Sequence, residues 1–211
     1  MIVIINYGLS NLLSIKRAVD LFSDDVMITD NYEDIKRADK LILPGVGSFH
    51  YGMDCLDKLH LKDVIVDKAN AGAPLLGICL GMQMLFDESE EGGLRDGLKL
   101  ISGRVERIPD KDIDGCRQTV PHIGWEKLIK NGDSCFEKNV LKGIAEDEEF
   151  YFVHSYEGKA QMKQHCMANI VYGGREICAI VQRNHIIGCQ FHPEKSGKIG
   201  LELIRNFVTD F

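Results

Sequence analysis

The chain has 211 residues, 45% of them hydrophobic and 27% charged, with a formal net charge of -7. That is enough for one sizeable domain with a full hydrophobic core. Lys and Arg are dispersed instead of gathered into a basic face, which argues against nucleic acid as a partner and leaves small molecules or proteins. Seven Cys with no C-x-x-C pair speak against a disulfide framework or a zinc ribbon and fit a reduced, cytoplasmic protein. The opening apolar run over 1–6 is too short for a signal peptide or a membrane span, so no membrane association is expected.

The β-branched run over 2–5, closed by Asn6-Tyr7-Gly8, predicts a buried first strand and its loop. A helix is expected next, capped by Ser10 or Asn11, because Leu12, Ile15, Val19 and Phe22 recur at helical spacing. Short strands follow at 26–29 and 41–43, separated by a turn or two of helix across Glu33-Asp34-Ile35-Lys36-Arg37. The second of them ends in Pro44-Gly45-Val46-Gly47-Ser48-Phe49. Leu61, Val64, Ile65 and Ala69 mark a helix over 61–71, and 74–79 reads as a fourth strand. This alternation predicts a parallel sheet with right-handed crossovers and ligands at the carboxyl ends of the strands, where Cys79 and the 44–47 loop both fall. Residues 87–93 read as a solvated loop. Beyond it, short runs at 99–108, 119–128, 150–153, 167–172, 177–182 and 186–191 read as antiparallel, with Arg183-Asn184-His185 as a hairpin tip. Ile199, Leu203, Ile204 and Phe207 predict a closing helix over 196–211. No repeat, low-complexity tract or linker divides the chain, so 1–211 is expected to be a single domain.

Three stretches carry chemistry. Gly77-Ile78-Cys79-Leu80-Gly81 has the spacing of a nucleophile elbow, in which a strand turns sharply into a helix and flanking glycines make room for a strained nucleophile. Such a turn exposes the sulfur at the positive end of the following helix. The alternative is a small buried Cys between packing glycines. In Gln190-Phe191-His192-Pro193-Glu194, Pro193 favours an extended His192, so the side chains of His192 and Glu194 point to one side. A Cys nucleophile needs a base, and the base needs a carboxylate to fix its tautomer; Cys79, His192 and Glu194 supply those three groups. Gly45-Val46-Gly47 is no phosphate loop: the Lys of G-x-x-x-x-G-K-[ST] is missing, and G-x-G-x-x-G would need Gly where His50 stands. It is either a tight turn or a flexible loop that offers backbone N–H groups to an oxyanion.

These stretches, together with Gln83, Pro121-His122-Ile123-Gly124-Trp125, Tyr151-Phe152-Val153-His154-Ser155-Tyr156 and Lys195-Ser196, resemble the glutamine amidotransferase subunits of imidazole glycerol phosphate synthase, members of the class I glutamine amidotransferases. The resemblance spans essentially the whole chain. It implies an α/β fold with a flavodoxin-like central sheet, mostly parallel in the first half with antiparallel additions in the second, and helices on both faces. It implies hydrolysis of L-glutamine, with ammonia passed to a (β/α)8-barrel cyclase subunit and with no cofactor and no metal. Cys79 would form the γ-glutamyl thioester, His192 would move the proton and Glu194 would orient His192. Gln83 and the backbone of Ser155 and Tyr156 would hold glutamine, and the Gly45, Val46 and Gly47 loop would provide the oxyanion peptide. Asn11, Trp125, Tyr151 and Lys195 would face the cyclase. His122, His154 and His165 are expected to serve packing or surface hydrogen bonding, and Cys55, Cys178 and Cys189 to lie in the core. One residue departs from the family: Glu126 follows Trp125 where Asn is common. This leaves a sugar-amidating synthase open as the ammonia acceptor. A cysteine peptidase and a silent binding module are the competing functions, against which stand the 45–47 loop with Gln83 and the complete set of triad residues, respectively.

Overall fold

In the computed structural model, which describes residues 1–9, 11–132 and 140–211, strands and helices alternate through the first half of the chain. They are β1 (Ile2–Ile5), α1 (Leu12–Val19), β2 (Val26–Thr29), α2 (Tyr32–Arg37), β3 (Lys40–Gly45), α3 (Phe49–Lys58), α4 (Lys62–Asn70), β4 (Leu75–Cys79) and α5 (Leu80–Met84). Strands then dominate: β5 (Phe86–Ser89), β6 (Arg95–Asp96), β7 (Ile101–Arg107), β8 (His122–Lys127), β9 (Ile129–Lys130), β10 (Glu149–His154), β11 (Tyr156–Ala160), β12 (Cys166–Tyr172), β13 (Arg175–Arg183) and β14 (Ile186–Cys189). Helix α6 (Gly197–Asp210) closes the chain.

Eight strands build the central sheet in the order β2-β1-β3-β4-β14-β13-β12-β9. The pairs from β2 to β14 are parallel, and those from β14 to β9 are antiparallel. β1 shows why the sheet is covered on both sides: Ile2 and Ile4 pack into one core with residues of α1 and α6, while Val3 and Ile5 pack into the other with residues of α2, α3 and α4. Side chains alternate along a strand, so an uninterrupted apolar run serves both layers. In α6, Leu203, Ile204 and Phe207 are buried, each worth about 1.5–3 kcal/mol over exposure. Two smaller sheets, β10-β8 and β11-β7-β5-β6, lie outside the central one.

The flavodoxin-like sheet with antiparallel additions is as expected, but several elements differ. Ser10 lies outside the described residues, and Asn11 stands at the N-cap of α1 without a side-chain cap bond. Helix α3 was not foreseen because Gly52 interrupts its pattern; that glycine lets α3 lie close to α5, where a Cβ would meet the Met84 sulfur. The stretch read as a solvated loop, 87–93, overlaps β5, whose Phe86 and Ser89 are fully buried while its acidic middle residues are only half-buried. β5 is parallel to β7, and β14 is parallel to β4, so the second half is not wholly antiparallel.

Candidate active site

Cys79 ends β4 with φ 53° and ψ -109°, a left-handed backbone on a residue with a Cβ. Such strain costs about 1–3 kcal/mol and is held by its surroundings. The surroundings are the two flanking glycines: a Cβ on Gly81 would strike the Leu43 carbonyl, and one on Gly77 would strike the backbone of Gly81 and Met82. Only glycine lets strand and helix approach this closely, so the elbow follows from the spacing. Cys79 lines a cavity of about 330 Å³ with Val46, Gly47, Gln83, Glu91, His154 and Tyr156 among its walls. That volume is at the small end of ligand pockets.

β14 runs beside β4 in parallel register, Cys189 opposite Ile78, so the chain beyond β14 emerges at the edge where Cys79 turns. His192 is extended there, and Pro193 opens a short 3-10 turn over Pro193–Lys195. Nδ1 of His192 is 2.9 Å from Glu194 Oε1, and both side chains are almost completely buried. Burial works against the imidazolium, but Cys79 and Glu194 outweigh it and push His192 up to about 9. With Nδ1–H donated to the carboxylate, Nε2 is the nitrogen free to exchange a proton; it has no hydrogen-bond partner among the described residues. Ser196, unassigned by the sequence reading, steadies the segment: its hydroxyl donates to the His192 carbonyl at 2.7 Å and accepts from the Tyr151 N–H at 3.0 Å.

The 45–47 loop leaves β3 with Gly45 opposite Cys79. Tyr7, buried beneath it, donates its hydroxyl to the Pro44 carbonyl at 2.6 Å, and a Cβ on Gly45 would collide with that hydroxyl. Burial, with Cys79 nearby, raises the pKa of Tyr7, so the hydroxyl keeps the proton it donates. The Val46 N–H points at the Leu9 carbonyl, 3.3 Å away. Gln83 donates through Nε2 to the Tyr156 carbonyl at 3.0 Å and to Gln190 Oε1 at 2.9 Å. Gln190 is itself completely buried. Ser155 and Tyr156 line the cavity beside Cys79. Glu91 was missed because its acidic, glycine-rich surroundings resemble any exposed loop; its carboxylate accepts the Phe49 N–H at 2.7 Å and faces the cavity. On the far side of the loop, Asn11 and Lys195 share a small hollow with Gly45, Val46, His192 and Glu194. Trp125 is 52% exposed, with its ring 5.7 Å from that of Tyr151 across the β8–β10 pair.

A model of the family described as glutamine amidotransferase class-I matches residues 3–211. The chain belongs to the class-I glutamine amidotransferases. This amidotransferase is 44% identical over 209 residues to the imidazole glycerol phosphate synthase subunit HisH of Geobacillus sp. (strain WCH70), covering 99% of this chain and 96% of that one. It is 43% identical to the protein of the same name from Halalkalibacterium halodurans, covering 98% and 94%. A crystal structure of a glutamine amidotransferase superposes with a TM-score of 0.72 at 16% identity, covering 99% of both chains. The structure of PurLQS from Thermotoga maritima gives 0.69 at 17% identity, covering 99% and 97%; identities this low establish the shared fold alone.

Two histidines of the amidotransferase take the packing role expected of them, as a hydrogen-bonded pair. His122 and His154 are buried and opposite each other on β8 and β10, with Nδ1 of His122 3.1 Å from Nε2 of His154. The other nitrogen of His154 meets the Tyr156 carbonyl at 2.9 Å, and that of His122 meets Glu126 Oε1 at 3.0 Å. Burial, opposed by the Tyr156 carbonyl and reinforced by the nearby His122 and His192, lowers His154 to about 4, so it is neutral and donates to Tyr156 through Nδ1–H. Glu126, the residue that departs from the family, therefore turns toward this buried pair across Gly124, where the absence of a side chain leaves the face open. His165 is half-buried in a 3-10 turn over Lys163–His165, just before β12, Cys55 packs at the margin of the core, and Cys178 and Cys189 are buried in it. Chemically, the arrangement offers a nucleophile, a base with a fixed tautomer, and a cavity with a carboxylate at one wall.

Proposed function

We propose that the chain is the glutaminase subunit of an imidazole glycerol phosphate synthase, hydrolysing L-glutamine and delivering ammonia to a (β/α)8-barrel cyclase subunit. The observation that carries the reading is that Cys79, which lines the small cavity, interacts with the buried His192–Glu194 pair behind it. Cys79 passes its proton to His192 Nε2 and attacks the side-chain amide carbon of glutamine. The C–N bond breaks as His192 returns the proton to the departing nitrogen, which leaves as ammonia. Water, deprotonated by His192, then cleaves the thioester to glutamate. Gln83 and the Ser155–Tyr156 backbone hold the substrate, Glu91 complements its ammonium group, and Gly45, Val46 and Gly47 supply the oxyanion peptide.

Asn11, Trp125, Tyr151 and Lys195 face the cyclase. Support comes from the exposure of large apolar side chains beside them: Leu13 on α1, Trp125 itself, and Val46, which shares a hollow with Asn11 and Lys195. Full-length identity of 44% to an imidazole glycerol phosphate synthase subunit favours the cyclase over a sugar-amidating synthase as acceptor. No helix among the described residues is long and apolar enough to cross a membrane. Six free cysteines among those residues accord with a reducing cytoplasm. The experiment is Cys79→Ala in the reconstituted synthase: glutamine-dependent synthesis is lost, while synthesis from added ammonium salts continues. Loss of the ammonia-dependent rate in a folded, partner-bound variant contradicts the assignment.

A further inference from the structure

Gln190 has no role in the mechanism so far, yet it is completely buried and its amide reaches the nucleophile: Nε2 lies 3.7 Å from Cys79 Sγ. Amide nitrogen and oxygen are assigned from the bonds around them, so the direction of this contact has to be derived. The derivation starts from a group with no ambiguity. The Tyr156 carbonyl can only accept, and a Gln83 oxygen placed 3.0 Å from it would set two acceptors against each other; Gln83 Nε2 must face it. That same Nε2 is 2.9 Å from Gln190, whose facing atom must accept and is therefore Oε1. The remaining end of Gln190, its NH2, then points at the sulfur. Each link is forced by the one before it.

The backbone explains why Gln190 arrives there. It follows β14 directly, its N–H held by the Ala179 carbonyl at 2.9 Å, and it stands two residues before His192. The segment that follows β14 thus presents two nitrogens to Cys79: one from an imidazole that takes the proton, one from an amide that cannot.

The geometry points to Gln190 as a further catalytic residue of the glutaminase reaction, donating an N–H to the Cys79 sulfur while Gln83 holds its amide in the donating orientation. This deepens the proposed glutaminase reading and rests on it. The donor favours the charged sulfur over the neutral one and fixes where the sulfur sits in the elbow, and the bond relaxes when the sulfur becomes a thioester. Gln83 thereby acquires a second task. Both bonds of its NH2 stay within the chain, and Oε1 is the atom it can turn toward substrate.

The test reads the sulfur without glutamine, so it is separable from the glutaminase assignment. Gln190→Met keeps the length and apolar volume and removes the donor. Alkylation of Cys79 by iodoacetamide at neutral pH, followed by peptide mapping on the full chain, is expected to slow roughly tenfold, the lower end for a hydrogen bond to a charged acceptor. In the partner-bound enzyme, kcat should fall by a similar factor with KM for glutamine nearly unchanged. An unchanged alkylation rate, or a rise in KM at constant kcat, overturns the proposal. Should Gln190→Met fail to fold, Gln83→Met releases the amide from its other end and is expected to slow alkylation likewise. On the unaltered chain, alkylating Cys79 must shift the Gln190 side-chain amide resonances; unmoved resonances also overturn it.

Discussion

Replacing Glu194 with Gln keeps the size of the side chain and removes its charge from a pair that is almost wholly buried, with Nδ1 and Oε1 2.9 Å apart. His192 is raised from 6.5 to about 9, burial opposing the shift and Cys79 and Glu194 producing it. At 1.36 kcal/mol per unit, this amounts to about 3 kcal/mol in favour of the imidazolium, shared between those two partners. The sign follows from a raised folded-state value: the stabilisation is fully present below 6.5 and is lost as pH rises through about 9. In the parent enzyme, kcat/KM should therefore show an alkaline limb near 9, where His192 loses the proton it gives to the leaving nitrogen. In Glu194→Gln that limb moves toward 6.5, and kcat falls by about 10⁴, the cost typical of an amide that permits the wrong imidazole tautomer. The assay is steady-state glutaminase activity across the neutral and alkaline range, with denaturant unfolding at the same pH values. The parent should lose up to about 3 kcal/mol of stability through this window and the variant distinctly less. An alkaline limb that stays in place in Glu194→Gln refutes the view that the carboxylate holds the proton on His192.

The oxyanion peptide yields a second expectation: with the Val46 N–H held by the Leu9 carbonyl, the isolated subunit lacks that donor, and the acceptor-loaded partner should raise kcat roughly 10² to 10³-fold at nearly constant KM. Full turnover by the subunit alone would show that no gate exists. Glu91→Gln preserves an acceptor for the Phe49 N–H but removes the charge at the cavity wall, so KM for glutamine should rise about tenfold or more with little change in kcat. A fall confined to kcat would remove Glu91 from substrate binding.

The elbow at Cys79 and the His192–Glu194 pair were legible because their geometry is encoded locally. Glycines on either side of Cys79 specify the elbow, and an X-Pro step specifies the extended His192. Gln190 sits in the same motif but carries no signal of its own, since a buried amide acquires meaning only from what surrounds it, here Cys79 at the end of β4 and Gln83 in α5, both far earlier in the chain. Glu91 and β5 were hidden for a different reason: acidic residues and glycines look solvated until another segment covers them, as β7 covers β5. The parallel partner of β14 was equally out of reach. The run over 186–191 shows an antiparallel hairpin with β13, which is correct, but nothing in the run reveals that its other edge is claimed by β4.

That position of β14 governs when the chain becomes chemically competent. In sequence β14 follows every other strand of the central sheet, yet it is not an edge strand; it lies between the parallel and antiparallel parts of the sheet, hydrogen-bonded to both. Its contacts with β4 join segments far apart in sequence, the kind of pairing that forms late because a long loop must close first. Until it inserts, Cys79 has neither His192 nor Gln190 beside it. Any activity that needs these neighbours is thus confined to chains whose sheet is complete, and a chain cut before β14 carries Cys79 without His192 and Gln190.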